Sequence, residues 1–128
     1  MDLKTLCRKY DLDAAQEFWA ASELRVREIY NGAGPDWMPD WGREILTAFL
    51  RLFKGAFVIH DFDYDRSDKS LVKFHKANNR MKVNMKKILD KECPFSNVLK
   101  WPVRAKWLVR ANAAYKACEE FGLSAWKD

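Results

Sequence analysis

Apolar residues recur at helical spacing over most of the chain, most clearly in residues 68–91. One stripe of side chains there follows intervals of three and four: Leu71, Phe74, Asn78, Met81, Met85 and Ile88. This spacing places them on one face of an α-helix, for which Ser67 or Asp68 is the predicted N-cap. Asn78 is the one polar member of the stripe, and a buried amide requires a hydrogen-bond partner.

The N-terminal part of the chain is predicted to form one long helix over residues 12–29, capped by Asp11 or Asp13. Its apolar positions fall near one stripe: Leu12, Ala15, Phe18, Trp19, Val26 and Ile29. Residues 31–40 then contain two glycines and two prolines, which excludes a regular element.

Residues 43–54 have the periodicity of another helix, with a break or kink expected at Gly55. The apolar start of residues 56–64 indicates that the helix continues there or that a second short helix begins. Only residues 65–67 link it to the next helix. So short a link reverses the chain most easily, which predicts that the segments 43–64 and 68–91 run antiparallel.

A final helix is predicted around Pro102, which suits a first turn, and Gly122 is placed as its C-terminal glycine. Its buried side is predicted to hold six residues: Trp101, Leu108, Ala111, Tyr115, Cys118 and Phe121. No segment shows sustained alternation of apolar and polar residues. The sequence therefore predicts an all-α fold, with residues 1–128 forming a single domain.

Composition supports a globular protein, because 48% of its 128 residues are hydrophobic and 32% are charged. No apolar run approaches the length of a membrane span, and the first residues lack the apolar core of a secretory signal. The three cysteines, Cys7, Cys93 and Cys118, form no pairing pattern and no zinc motif. They are interpreted as reduced thiols of a cytosolic protein.

Charge is distributed unevenly, since residues 67–128 carry 14 basic and 6 acidic side chains. A basic half favours an anionic partner, either phosphate or anionic lipid, although a solvated lysine face of a helix gives the same pattern. Binding to nucleic acid is the weaker interpretation, because neither a helix-turn-helix signature nor an RNA-binding aromatic motif is present.

His60 is the histidine best placed for chemistry, because it follows the apolar residues 57–59. Tyr64 lies one helical turn later on the same face, whereas Asp61 is rotated by about 100°. A buried imidazole near neutral pKa suits general base catalysis. The alternative is a core histidine with a satisfied hydrogen bond, followed by a solvated acidic cluster of Asp61, Asp63 and Asp65.

The segment from Tyr30 to Pro35 is the second candidate element. Alternate glycines, Gly32 and Gly34, allow backbone carbonyls to converge on one point. Carbonyl oxygens and one carboxylate are ligands that suit calcium. The alternative is an ordinary turn between helices.

Together the two elements, YxGxG from Tyr30 and HDxxY from His60, resemble the phospholipase A(2) family. The similarity is greatest to its cysteine-poor viral and phage branch, in which HDxxY precedes a helix of pattern A-D-x-x-[FM]-x-x-N-M. Here that helix runs from Ala77 to Met85, and the resemblance covers residues 30–85. It implies a small helical domain with two antiparallel core helices, a glycine calcium loop and flanking helices, located in a host cytoplasm or a virion.

The resemblance also implies the role of each site residue. Ca²⁺ would be held by three backbone carbonyls and one carboxylate, from Tyr30, Gly32, Gly34 and Asp61. His60 would be the general base, and Tyr64 would hold the hydrogen-bond network behind it. Asn78 stands where the family has an aspartate that orients the histidine. An amide orients the ring without supplying negative charge, so an aspartate at this position is expected to raise activity about tenfold.

Two functions follow as hypotheses. The first is a calcium-dependent esterase that hydrolyses a phospholipid acyl ester. Trp37, Met38 and Trp41 would flank its entrance at the lipid interface, and the basic half would favour anionic lipid. The second is a non-catalytic phage or virion-associated scaffold or lipid-binding protein, whose site has degenerated at Asn78.

Overall fold

A computed structural model describes residues 2–30, 51–66 and 70–127, with the backbone alone for residues 117, 118 and 120–127. Every regular element among these residues is helical, so the prediction of an all-α fold is confirmed. The elements are α1 (Leu3–Lys9), α2 (Gln16–Ala20), α3 (Glu23–Ile29), α4 (Lys54–Asp65), α5 (Leu71–Glu92), a 3-10 turn (Val98–Lys100) and α6 (Trp101–Lys127).

Helices α4 and α5 pack against each other and run antiparallel, as predicted. Near their connection the rings of Tyr64 and Phe74 lie 6.1 Å apart. At the other end of α4, Gly55 contacts Cys7 of α1, and α1 lies beside the end of α5, where Lys91 donates to the carbonyl of Lys9. The start of α4 therefore lies next to the end of α5.

A single apolar core lies between these two helices and the elements around them. Its largest fully buried side chains come from four helices and the residue before α4: Phe18, Val26, Phe53, Val58, Ile59, Phe74, Met81, Met85, Ile88 and Leu89. Phe18 contacts Phe62 edge to face, with ring centroids 5.3 Å apart. The core thus fixes α4 against α5, and α4 carries the candidate site.

Helix α5 begins three residues after its predicted start and ends one residue beyond its predicted end. The predicted stripe is buried with one exception. Leu71 is 52% exposed because it lies in the first turn, beyond the packed part of the helix. The observed N-cap is Ser70, whose hydroxyl accepts from the backbone N–H of Lys73, so the prediction of Ser67 or Asp68 is wrong.

The prediction of one helix over residues 12–29 is also wrong, because three short helices cover residues 3–29. Asp11 has a φ of 52° and does not cap a helix. It ends α1, since the N–H of Asp11 donates to the carbonyl of Arg8 and that of Leu12 to Cys7. This Schellman arrangement stops the helix in the left-handed region, which aspartate tolerates better than most residues. Ser22 then breaks the remaining segment by capping α3.

Asn84 of α5 holds the irregular segment between α1 and α2. Its Oδ1 accepts from the backbone N–H of Asp13 at 2.7 Å, and its Nδ2 donates to the carbonyl of the same residue at 2.8 Å. Asn84 is fully buried. One side chain therefore satisfies both backbone groups of Asp13, and this long-range contact replaces the helix that local periodicity predicts.

Replacing Asn84 with alanine is expected to lower the free energy of unfolding by about 2–4 kcal/mol, because a fully buried side chain and its two hydrogen bonds to Asp13 are lost. Urea unfolding measures this loss. Asn112→Ala is the matched control, since Asn112 is exposed on α6, and it is expected to change stability by less than about 0.5 kcal/mol. Equal losses for the two variants would contradict the assigned role of Asn84.

Helix α6 contains Pro102 in its first turn, as predicted. Its backbone stays helical through Lys127, so the placement of Gly122 as a C-terminal glycine is wrong. Of the predicted buried side, Ala111 is buried, whereas Trp101 is 49% and Leu108 is 40% exposed. The side of α6 that packs on the core holds Trp107, Ala111 and Ala114 instead.

Helix α4 begins at Lys54 and includes Gly55, after a helical stretch that ends at Leu52. The chain therefore starts a new short helix near Gly55, and most of the predicted segment 43–54 lies outside the described residues. A Cβ at Gly55 would lie 2.8 Å from Leu12 Cδ1, so glycine permits the close approach of α1.

Two of the cysteines, Cys7 and Cys93, are buried free thiols, as the sequence predicts. Within the described ranges, none of the helices combines the length and the apolar character that crossing a membrane requires.

Candidate functional site

The site is built around His60, which α4 carries into the interior, where the residue is 5% exposed. Its Nε2 lies 2.7 Å from Oδ1 of Asn78, a fully buried residue of α5. The predicted contact between these two residues is therefore confirmed. It follows from packing the Asn78 stripe of α5 against the buried face of α4.

Tyr64 completes this cluster from one turn further along α4. Its hydroxyl donates to the same Oδ1 of Asn78 at 2.9 Å, and its ring lies 4.1 Å from that of His60 between centroids. The structure therefore brings together all three residues for which the sequence predicts catalytic roles.

The hydrogen bonds define the state of the His60 ring. An amide oxygen only accepts, so Nε2 carries the proton and donates it to Asn78, which leaves a lone pair on Nδ1. Burial lowers the pKa of His60 to about 4, and the hydrogen bond to Asn78 acts in the opposite direction. The imidazole is thus neutral at pH 7 and has the form that a general base requires.

Asp61 is rotated away from this cluster and faces Tyr30. Burial raises the pKa of the Asp61 carboxyl to about 7. The pKa of Tyr30 is raised, first by its own burial and second by the nearby charge of Asp61. The side chains of Tyr30 and Asp61, two residues of the predicted calcium site, therefore lie close enough for their charges to interact.

The alternative of a solvated acidic cluster is correct only for Asp65, which is exposed and pairs with Arg25 at 3.2 Å. Asp63 is 9% exposed, and its Oδ1 accepts from Arg80 at 2.9 Å. Its Oδ2 is buried and has no partner among the residues that the structure describes. Burial raises the pKa of Asp63, against the charges of Arg80 and Arg66.

Glu119 of α6 belongs to the site, although no motif singles it out. Its Oε1 accepts from Nδ2 of Asn78 at 3.3 Å, and its Oε2 accepts from Nδ1 of His75 at 2.5 Å. The side chain of His75 is 49% exposed. Because 41 residues separate Glu119 from Asn78, only the packing of α6 on α5 brings them together.

Several predicted site residues lie outside the described residues: Gly32, Gly34, Trp37, Met38 and Trp41. Within the described part of the chain, no group of three or more His, Cys, Asp or Glu side chains could hold a metal ion. The predicted calcium site is of a different type, since it has one carboxylate and backbone carbonyls.

No protein-family model, curated protein or solved structure matches this chain. Proposals about its function therefore depend on the geometry of the site and on the resemblance of its two short motifs.

Proposed function

We propose that the protein is a calcium-dependent esterase of the phospholipase A(2) type, with the small phospholipase A(2)-like helical fold, that hydrolyses an acyl ester of a phospholipid. The single observation that carries the proposal is the hydrogen bond between His60 Nε2 and Asn78 Oδ1. It joins two residues that the motif pattern pairs and leaves Nδ1 of His60 as a base.

In the proposed reaction, Nδ1 of His60 accepts a proton from water while that water attacks the ester carbonyl directly. The imidazolium then gives the proton to the leaving alkoxide as the acyl C–O bond breaks. No acyl-enzyme forms. Tyr64 and Asn78 hold the ring in one tautomer, which keeps the proton-accepting nitrogen on the side away from α5. Because burial disfavours the imidazolium, proton transfer to His60 is uphill, and we expect slow turnover.

The residues present fit calcium at Asp61, because a metal ion would neutralise a carboxylate whose pKa burial raises. Asp61 would supply the charged ligand and Tyr30 a backbone carbonyl, with Gly32 and Gly34 completing the set. Calcium, when bound, would polarise the ester carbonyl and stabilise the oxyanion.

An anionic phospholipid surface, inside a host cell or at a virion, is the proposed partner. A cavity of about 260 Å³ is lined by Asp63 of α4 and Ala77 of α5, each next in sequence to a residue of the site. Four basic side chains line it: Arg66, Lys73, Lys76 and Arg80. This lining supports recognition of a negatively charged head group, since basic side chains attract anionic lipid. Trp37, Met38 and Trp41 remain the proposed residues of the lipid interface.

A calcium titration separates this enzyme from the non-catalytic virion scaffold, which the amide at position 78 favours. With one carboxylate and neutral oxygens, we expect a dissociation constant of about 10⁻⁴–10⁻³ M. Binding should be tighter at pH 8 than at pH 6, because the metal competes with the proton that Asp61 retains.

Isothermal titration of the wild type and of Asp61→Asn measures this binding. The matched control is Asp65→Asn, which removes an exposed carboxylate from the same helix and should bind calcium like the wild type. Absence of calcium heat at millimolar metal, or equal binding by Asp61→Asn, would count against the proposal.

A further inference from the structure

The orientation of the Asn78 amide determines which ring nitrogen of His60 is protonated, because its oxygen accepts a hydrogen bond and its NH2 group donates one. In the structure Oδ1 lies towards the ring. In this orientation Nε2 must carry the proton, and Nδ1 has the lone pair. With Nδ2 towards the ring, Nε2 would have to accept, and the proton would move to Nδ1. Only the first orientation leaves a proton acceptor on the side away from Asn78.

The hydrogen bonds of the amide to His60 and Tyr64 are compatible with either orientation. His60 can donate or accept at Nε2, depending on its tautomer, and the Tyr64 hydroxyl also does both. Glu119 differs, because an ionised carboxylate only accepts. Its Oε1 lies 3.3 Å from Nδ2 of Asn78 and is compatible with the amide in one orientation alone.

Glu119 is itself held in place by a second residue of α5. His75, which lies one turn before Asn78 on α5, donates to its second oxygen at 2.5 Å. Tyr115, one turn earlier on α6, donates its hydroxyl to Oδ1 of Asn79 at 2.9 Å, and its pKa is raised first by burial and second by the nearby charge of Glu119. The Glu119 side chain is 19% exposed, so water screens its contact with the amide only in part.

We propose that Glu119 is a positioning residue, which fixes the orientation of Asn78 and through it the tautomer of His60. Glu119 thereby supplies the site with a carboxylate. This carboxylate acts on the imidazole through Asn78, whereas an aspartate at position 78 would contact the imidazole directly. The tautomer assignment stands on the hydrogen bonds alone, whereas its catalytic consequence rests on the proposed function.

The test is ¹⁵N NMR of histidine-labelled protein at fixed neutral pH, which reports which ring nitrogen of His60 is protonated. The wild type is expected to show a protonated Nε2 and a bare Nδ1. In Glu119→Leu the amide loses its acceptor, and a substantial population with a protonated Nδ1 is expected. Glu119→Lys presents donors only and should reverse the tautomer, which provides a second variant should Glu119→Leu fold poorly.

Two further variants complete the test. Glu119→Gln can donate or accept towards Asn78, so it is compatible with both orientations of the amide, and a mixture of the two His60 tautomers is expected. Glu28→Leu is the matched control, because it removes a glutamate from an exposed ion pair with Arg25 and should leave the His60 signals unchanged. Folded Glu119→Leu and Glu119→Lys with the wild-type tautomer would overturn the proposal.

Kinetics separates this proposal from the proposed function. If the protein is an esterase, Glu119→Leu should lower kcat about tenfold with little change in KM, because the residue acts through His60 and does not touch substrate. If the His60 tautomer shifts in Glu119→Leu but the wild type hydrolyses no phospholipid, the role of Glu119 is supported and the proposed enzyme activity is refuted.

Discussion

Asn78→Asp alone is expected to unfold more easily than the wild type, by about 2–4 kcal/mol, and to gain no esterase rate. The new carboxyl would lie about where Nδ2 now donates to Glu119, and two carboxylates at that separation do not both ionise. Burial favours the proton at the fully buried position 78 over the partly exposed Glu119, so His60 gains no charged partner.

Pairing Asn78→Asp with Glu119→Gln removes this conflict. The glutamine amide donates to the new aspartate, which ionises and stabilises the imidazolium as His60 takes a proton. The double variant is expected to hydrolyse phospholipid about tenfold faster than the wild type. The double variant should also be more stable than the sum of the two single changes predicts, by a coupling free energy of about 1–3 kcal/mol.

Urea unfolding and calcium-dependent hydrolysis of the wild type, both single variants and the double variant measure these effects as a cycle. A rate gain in Asn78→Asp alone, without loss of stability, would show that Glu119 does not face residue 78. The sequence by itself predicts such a gain, since it gives no sign of the second carboxylate.

The dependence of stability on pH is expected to change in opposite directions when His60 or Asp61 is replaced. The folded-state pKa of Asp61 is raised from 3.8 to about 7, so its contribution is lost as pH rises between about 4 and 7. The pKa of His60 is lowered from 6.5 to about 4, so the neutral ring contributes stability that is lost as pH falls through that range. In the wild type the two slopes oppose each other.

Relative to the wild type, Asp61→Asn should therefore gain stability with rising pH, by at most about 1.4 kcal/mol per pH unit between pH 4 and 7. Relative to the wild type, His60→Gln should lose stability as the pH rises from 4 to 6.5. Urea unfolding in calcium-free buffer at half-unit intervals measures both differences. Parallel curves for the three proteins would contradict the burial of these two groups.

Local periodicity carries enough information to predict helix α5 and its partner α4. Their buried stripes repeat at three and four residues, and a short connection leaves an antiparallel arrangement as the simplest one. The pair His60 and Asn78 follows from the same information, because a lone amide on an apolar stripe must meet a polar group on the facing helix.

Contacts between residues distant in sequence lie beyond such reasoning. Asn84 hydrogen-bonds to the backbone of Asp13, which is 71 residues away and belongs to a segment with helical periodicity. Asp11, a predicted N-cap, instead has a positive φ and ends α1. Glu119 is one acid on a long helix and follows no spacing that relates it to Asn78. Only packing decides which buried amide or carboxylate meets which partner.

Release of free fatty acid from phosphatidylglycerol vesicles is the measurement that tests the central claim most directly. In millimolar calcium the wild type is expected to release fatty acid and an equimolar lysophospholipid, and a chelator should abolish the reaction. His60→Ala should lower the rate by about 10²–10⁴ through loss of the general base, whereas Asn112→Ala should match the wild type. Equal background rates for the wild type, His60→Ala and the chelated sample would contradict the account.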